Sequence, residues 1–213
     1  MSDTPSGDAP GDRPQIYLIT PPEFDPEVFA PQLAAMLDAG PIACVRLALE
    51  SRSEDRLLRA ADALREVTHA RDVPLVIDRH VELARRAGLD GVHLPDGAGA
   101  VRKARAALGA EAIVGAFCGA SRHAGLAAGE AGADYIAFGP VAGAALGTGA
   151  LAEDDLFAWW SEVIELPVVV EGALDHEQIV RLTPLVDFFA LGEEVWTAPD
   201  PVAALARLRA AMG

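Results

Sequence analysis

Eight short apolar runs recur along the chain at near-even spacing, and each ends in a polar or glycine-rich tip. The fourth reads Gly88-Leu89-Asp90-Gly91-Val92-His93-Leu94, and the sixth Gly132-Ala133-Asp134-Tyr135-Ile136-Ala137-Phe138-Gly139-Pro140. Segments with helical apolar spacing lie between the runs. Such alternation implies right-handed βαβ units in a parallel sheet, and eight of them close into a barrel. The expected fold is therefore a single (β/α)8 TIM barrel over residues 15–213, preceded by a short disordered tail over 1–14. A doubly wound sheet is the rival, but it calls for a glycine-rich phosphate loop after the first strand, where Thr20-Pro21-Pro22 stands. In a barrel the chemistry belongs at the C-terminal tips of the strands.

The individual elements follow from spacing and punctuation. Strands are expected over 16–20, 42–47, 74–77, within the run 88–94, and over 112–116, 135–138, 167–170 and 188–191. Helices are expected over 29–39, from about 53 through 70, and over 81–87, 101–108, 121–131, 154–163, 175–182 and 202–212. Ser53 and Ser121 are N-cap candidates, and Gly40 and Gly88 are stops. Gly125 and Gly129 cost their helix about 1 kcal/mol each relative to alanine. Phe157, Trp159 and Trp160 share one helix outside the barrel. One face of it packs on the sheet, and the second tryptophan is the candidate for a contact in a homo-oligomer, against a plain core role.

The 213 residues suffice for one sizeable core, and no apolar run reaches the roughly 18 residues of a membrane span. Met1 to Pro14 carries Pro, Gly, Ser and Asp without an apolar stretch, which reads as a tail rather than a signal peptide. The cytoplasm is the expected location. Acidic residues outnumber Lys plus Arg by 32 to 17, for a net charge of −15. That field repels nucleic acid and anionic membrane, and admits an anionic ligand only where local arginines or backbone N–H groups reverse the sign. Lys103 is the single lysine, which limits any mechanism built on an ammonium group. Cys44 and Cys118 have no CxxC partner and read as small buried residues in a reducing compartment.

Pro74-Leu75-Val76-Ile77, the run from Ala87 to Leu94, Arg102 to Gly109, Gly132 to Val141 and Pro167-Val168-Val169 occur in that order. In this succession the chain resembles the thiamine-phosphate synthases and their relative, the thiazole tautomerase, from about Tyr17 to the last helix. The resemblance implies a barrel that joins a hydroxymethylpyrimidine diphosphate to a thiazole phosphate with magnesium. It places Arg46, Ala48 and Glu50 where the family has Gln-x-Arg-x-Lys, and Asp78-Arg79 where it has Asn-Asp. Its second metal carboxylate falls on Ala98, with Asp96 two residues short. Gly143 to Gly149, including Thr148, replaces a Thr-x-Thr-Lys loop, and Gly172-Ala173 replaces Gly-Gly.

Two arrangements follow from these departures. Either Asp78 and Asp96 hold one magnesium in a rearranged site, or guanidinium charge from Arg46 and Arg79 replaces the metal. The alternative for both arginines is an ion pair with Glu50 or Asp78. Backbone donors near Gly172, Ala173, Gly192 and Glu193 are expected to form a phosphate cup. Glu171, Glu193 and Glu194 oppose an anion there unless they point away. Gly139 and Thr148 complete the candidate substrate contacts together with Asp78 and His93. His93 is either an acid–base group or a packed histidine, and His80 is expected to be exposed. His123 corresponds to the tautomerase's proton-moving loop or simply faces water. The functional expectations are a synthase-like barrel binding a small phosphorylated heterocycle, a metal-independent isomerase, or a non-catalytic phosphate-ligand protein.

Overall fold

The structure, a computed structural model, describes residues 13–142 and 150–213. Its strands are β1 (Gln15–Ile19), β2 (Cys44–Leu47), β3 (Leu75–Asp78), β4 (Gly91–Leu94), β5 (Ile113–Phe117), β6 (Tyr135–Phe138), β7 (Val168–Glu171) and β8 (Phe188–Leu191). They pair in chain order, all parallel, and β8 closes on β1 with Tyr17 opposite Ala190. This is the (β/α)8 barrel that the strand–helix alternation implies. No helix among the described residues is long and apolar enough to cross a membrane.

The helices are α1 (Pro26–Asp38), α2 (Glu54–His69), α3 (Val81–Ala87), α4 (Val101–Leu108), α5 (Arg122–Glu130), α6 (Asp154–Val163), α7 (His176–Leu182), α8 (Glu193–Trp196) and α9 (Pro201–Ala210). Ser53 and Ser121 cap α2 and α5 as their positions suggest, and Gly88 closes α3 in the left-handed conformation. α1 begins three residues before the expected Phe29, because Asp25 caps it and Pro26 fits the first turn, where no backbone N–H is needed. The four-residue α8 is too short to show an apolar period, so no sequence pattern marks it. The expected tail lies outside the described residues except for Arg13 and Pro14, and Arg13 donates to the carbonyl of Gly213. Thr148 and the rest of 143–149 are likewise outside them.

Period-two alternation divides the strand side chains between two compartments. Leu18, Val45, Ile77, Val92, Val114, Ile136, Val170 and Leu191 face outward into the helix layer. Tyr17, Cys44, Val76, Tyr135, Ala137, Val169 and Ala190 fill the barrel interior. Two glycines exist for neighbouring rings. A Cβ on Gly115 would stand 1.9 Å from the Tyr135 ring, and one on Gly125 would stand 2.7 Å from Trp160. The helix penalty at Gly125 is thus the condition for seating Trp160, which is fully buried. Trp159 is half-buried with the Arg122 guanidinium 5.0 Å from its ring centroid. Both cysteines are buried free thiols, and burial pushes each up to about 12.

A carboxylate recurs at the base of the barrel. Asp90, Asp134 and Asp187 each precede an even-numbered strand. Each accepts a hydrogen bond from a backbone N–H at the start of the strand before it: Leu75 at 2.7 Å, Val114 at 2.7 Å and Val168 at 2.8 Å. Each also donates its own N–H to the carbonyl of that same residue. Ala43 makes the corresponding backbone bond to Ile16 without a carboxylate. These ties satisfy donors that lie beyond the regular ladder, where an unpaired N–H costs about 1–3 kcal/mol.

Candidate active site

The opposite end of the barrel opens into a cleft of about 1100 Å³, lined by the C-terminal ends of β1, β2, β3, β7 and β8 and by the loops that follow them. Arg46, near the end of β2, dominates its floor. Its guanidinium donates to Glu171 at 2.8 Å and lies 3.4 Å from Asp78. The expected ion pair with Asp78 is therefore present, but the nearer partner is Glu171, whose charge pairs with Arg46 rather than only repelling an anion. Glu50 lines the cleft without pairing with Arg46. Burial works against the guanidinium charge, yet Glu171 and Asp78 together hold it protonated more firmly than usual. Asp78 moves the other way. Burial raises its pKa, and the charge of Glu171 adds to that, so Arg46 at 3.4 Å only partly offsets the shift. Arg46 Nε and Asp78 Oδ1 are buried without hydrogen-bond partners.

Beneath Arg46 runs a line of buried polar groups. The Tyr17 and Tyr135 hydroxyls are 2.7 Å apart, and Tyr135 meets His93 Nδ1 at 2.9 Å. The Arg46 guanidinium lies 5.8 Å from the Tyr17 ring centroid. Burial, reinforced by Arg46, holds His93 well below its ordinary pKa, so it is a neutral hydrogen-bonding imidazole. Its partner is a tyrosine hydroxyl, not the backbone. His93 is packed inside the barrel and does not line the cleft. Neither tyrosine was singled out from the sequence, although Gly115 opposite Tyr135 marks the space that ring needs.

At the rim, Arg79 adopts a left-handed backbone conformation at φ +53, a strained choice for a non-glycine residue. It is exposed and, among the described residues, has no carboxylate within ion-pair distance. Ala173 has φ +57, and Gly172 beside it has φ +92, so this loop makes a glycine-like turn with an alanine in it. Gly172, Ala173, Gly192 and Glu193 all line the cleft. Glu194 does not point away. Its carboxylate accepts from the Gly192 N–H at 2.9 Å and the Leu174 N–H at 3.1 Å, bridging the loops after β7 and β8. The Trp196 indole, bonded to the Ile19 carbonyl at 2.7 Å, fixes α8 against β1.

Other candidates lie elsewhere. His123 is exposed in the first turn of α5 and does not line the cleft, and the same holds for Asp96 in the turn after β4. Gly139 packs on the backbone of Glu171, 2.1 Å from where its Cβ would be. His80, expected to be exposed, is partly buried on the cleft wall. Magnesium prefers near-octahedral oxygen ligands. Asp78 and Asp96 do not share the cleft, Asp78 faces Arg46, and no three metal-binding side chains cluster among the described residues. Asp78 and Asp96, as placed here, therefore do not form a shared magnesium site.

The sequence profile of thiamine monophosphate synthase matches residues 16–193, from the first strand of this barrel into α8. The chain belongs to that family. It is 44% identical over 199 residues to a thiamine-phosphate synthase from Rhodospirillum centenum, covering 90% of this chain and 94% of that one. A thiamine-phosphate synthase from Erythrobacter litoralis is 35% identical over 195 residues, covering 89% and 91%. Among solved structures, a thiamine phosphate pyrophosphorylase from Pyrococcus furiosus superposes with a TM-score of 0.80 at 24% identity, covering 93% of this chain and 95% of that one. A geranylgeranylglyceryl phosphate synthase from Thermoplasma acidophilum reaches 0.71 at 16% identity, covering 93% of each, which is a likeness of fold.

Proposed function

We propose that the cleft joins a hydroxymethylpyrimidine diphosphate to a thiazole phosphate, in keeping with the activity for which its relatives are named. The bond between the pyrimidine methylene carbon and the diphosphate oxygen breaks, and pyrophosphate leaves with the electron pair. The lone pair of the thiazole nitrogen then forms the new C–N bond. Negative charge builds on the leaving group and positive charge on the methylene, so fixed opposite charges at those two places accelerate the step. Arg79 and Arg52, exposed on the cleft wall, are free to meet the diphosphate, whereas Arg46 is committed to two carboxylates. Asp78 and Glu171 supply negative charge on the floor, where a pyrimidine cation would lie.

The observation that carries this reading is Arg79, a guanidinium with no carboxylate partner among the described residues, held on a strained backbone at the rim. Mixing the two substrates with the protein is expected to release pyrophosphate, and Arg79→Ala is expected to lower kcat/KM at least tenfold. An unchanged rate in that variant would remove Arg79 from the mechanism, and absence of release from the wild type would remove the synthase reading. No observation favours the isomerase, since neither His123 nor His93 lines the cleft.

A further inference from the structure

A barrel's phosphate site is built from backbone N–H groups of the loops after strands seven and eight. Here two such donors, from Leu174 and Gly192, already point at one acceptor, the carboxylate of Glu194, which gives one oxygen to each. A carboxylate anion so placed offers these donors what a phosphate would offer. Because it is tethered two residues from Gly192, it competes at a high effective concentration. The surroundings do not favour a second anion. Among the described residues, six carboxylates line the cleft against three guanidinium groups, and the most buried of these, Arg46, is already paired.

Resting on the reading of this cleft as a thiazole site, we infer that Glu194 is a specificity-determining residue, an internal anion that the substrate's phosphate must displace. A phosphate entering the loop pair must expel the carboxylate and then sit beside its charge. A hydroxyl-ended thiazole meets no such obstacle, because its O–H donates to the remaining lone pairs of Glu194. Glu194 therefore narrows the advantage of the phosphorylated thiazole over the corresponding alcohol.

The test compares wild type with Glu194→Gln and Glu194→Ala, using inorganic phosphate, thiazole phosphate and thiazole alcohol as probes in calorimetry. Amide chemical shifts of Leu174 and Gly192 report where phosphate binds. Both variants are expected to bind thiazole phosphate at least tenfold more tightly than wild type, with the alcohol changed less than threefold. Inorganic phosphate should shift the two amides in the variants at concentrations that leave the wild type unmoved. Equal or weaker phosphate binding in both variants overturns the inference, as does an equal gain for the alcohol. If wild type releases pyrophosphate with thiazole phosphate while the variants gain nothing, the synthase reading stands and the role of Glu194 falls. If phosphate moves the two amides only in the variants but no protein releases pyrophosphate, the role of Glu194 as internal anion stands and the synthase reading falls.

Discussion

Arg46 sits between two carboxylates, and the arrangement is stable only while all three charges remain. Removing one member of a buried ion pair leaves the other uncompensated, at a cost of about 3–5 kcal/mol. Arg46→Met, which keeps an apolar stem over Tyr17, is expected to lose about 3 kcal/mol in urea denaturation, because Glu171 and Asp78 then face each other without a cation. Glu171→Gln is expected to lose less, since the amide still accepts from Arg46 and Asp78 remains. A reversed order would mean that the guanidinium, not its partners, is the strained member. The residue scale is also where the sequence was least informative. Arg46 and Arg79 were legible as mouth residues because one lies near the end of a strand and the other just beyond one. That Glu171 is the closer partner depends on how β7 and β2 face each other across the interior, which no local pattern encodes. The tyrosine–tyrosine–histidine line is hidden for the same reason. Its members lie 42 and 118 residues apart and meet only because the barrel closes.

At the scale of elements, strand and helix positions were legible to within a few residues, because apolar runs, capping serines and stop glycines are local signals. α3, α4, α6, β6 and β8 occupy the residues that their patterns mark. The exceptions have definite causes. α8 is too short for an apolar period and is set by tertiary contacts, with Trp196 bonded to Ile19 and stacked edge-on against Phe29 at 4.8 Å. The aspartate ties are an element-level device with a measurable share of stability. Asp134→Ala leaves the Val114 N–H without its 2.7 Å partner and is expected to cost about 1–3 kcal/mol. Asp134→Asn, which retains an acceptor, should recover most of that. Hydrogen exchange at Val114 should quicken in the alanine variant alone, and protection there equal to wild type would show that the tie is dispensable.

For the whole molecule, acid is the revealing variable. An unfolded histidine takes up a proton near pH 6.5, while His93 in the folded barrel stays neutral because its pKa is held well below that value. The unfolded state thus binds more protons, so this group's contribution favours unfolding as pH falls below 6.5, by up to about 1.4 kcal/mol per pH unit. His93→Gln lacks the effect. Between pH 6.5 and 5 its stability is expected to improve relative to wild type by about that slope, read from urea midpoints. A flat difference would mean that His93 is protonated in the fold. The three aspartate ties lie at the end of the barrel remote from the cleft, on residues that do not line it. Anchorage and chemistry thus draw on separate residues. The lip of this barrel can exchange one charged side chain for another while the staves remain bound at the foot.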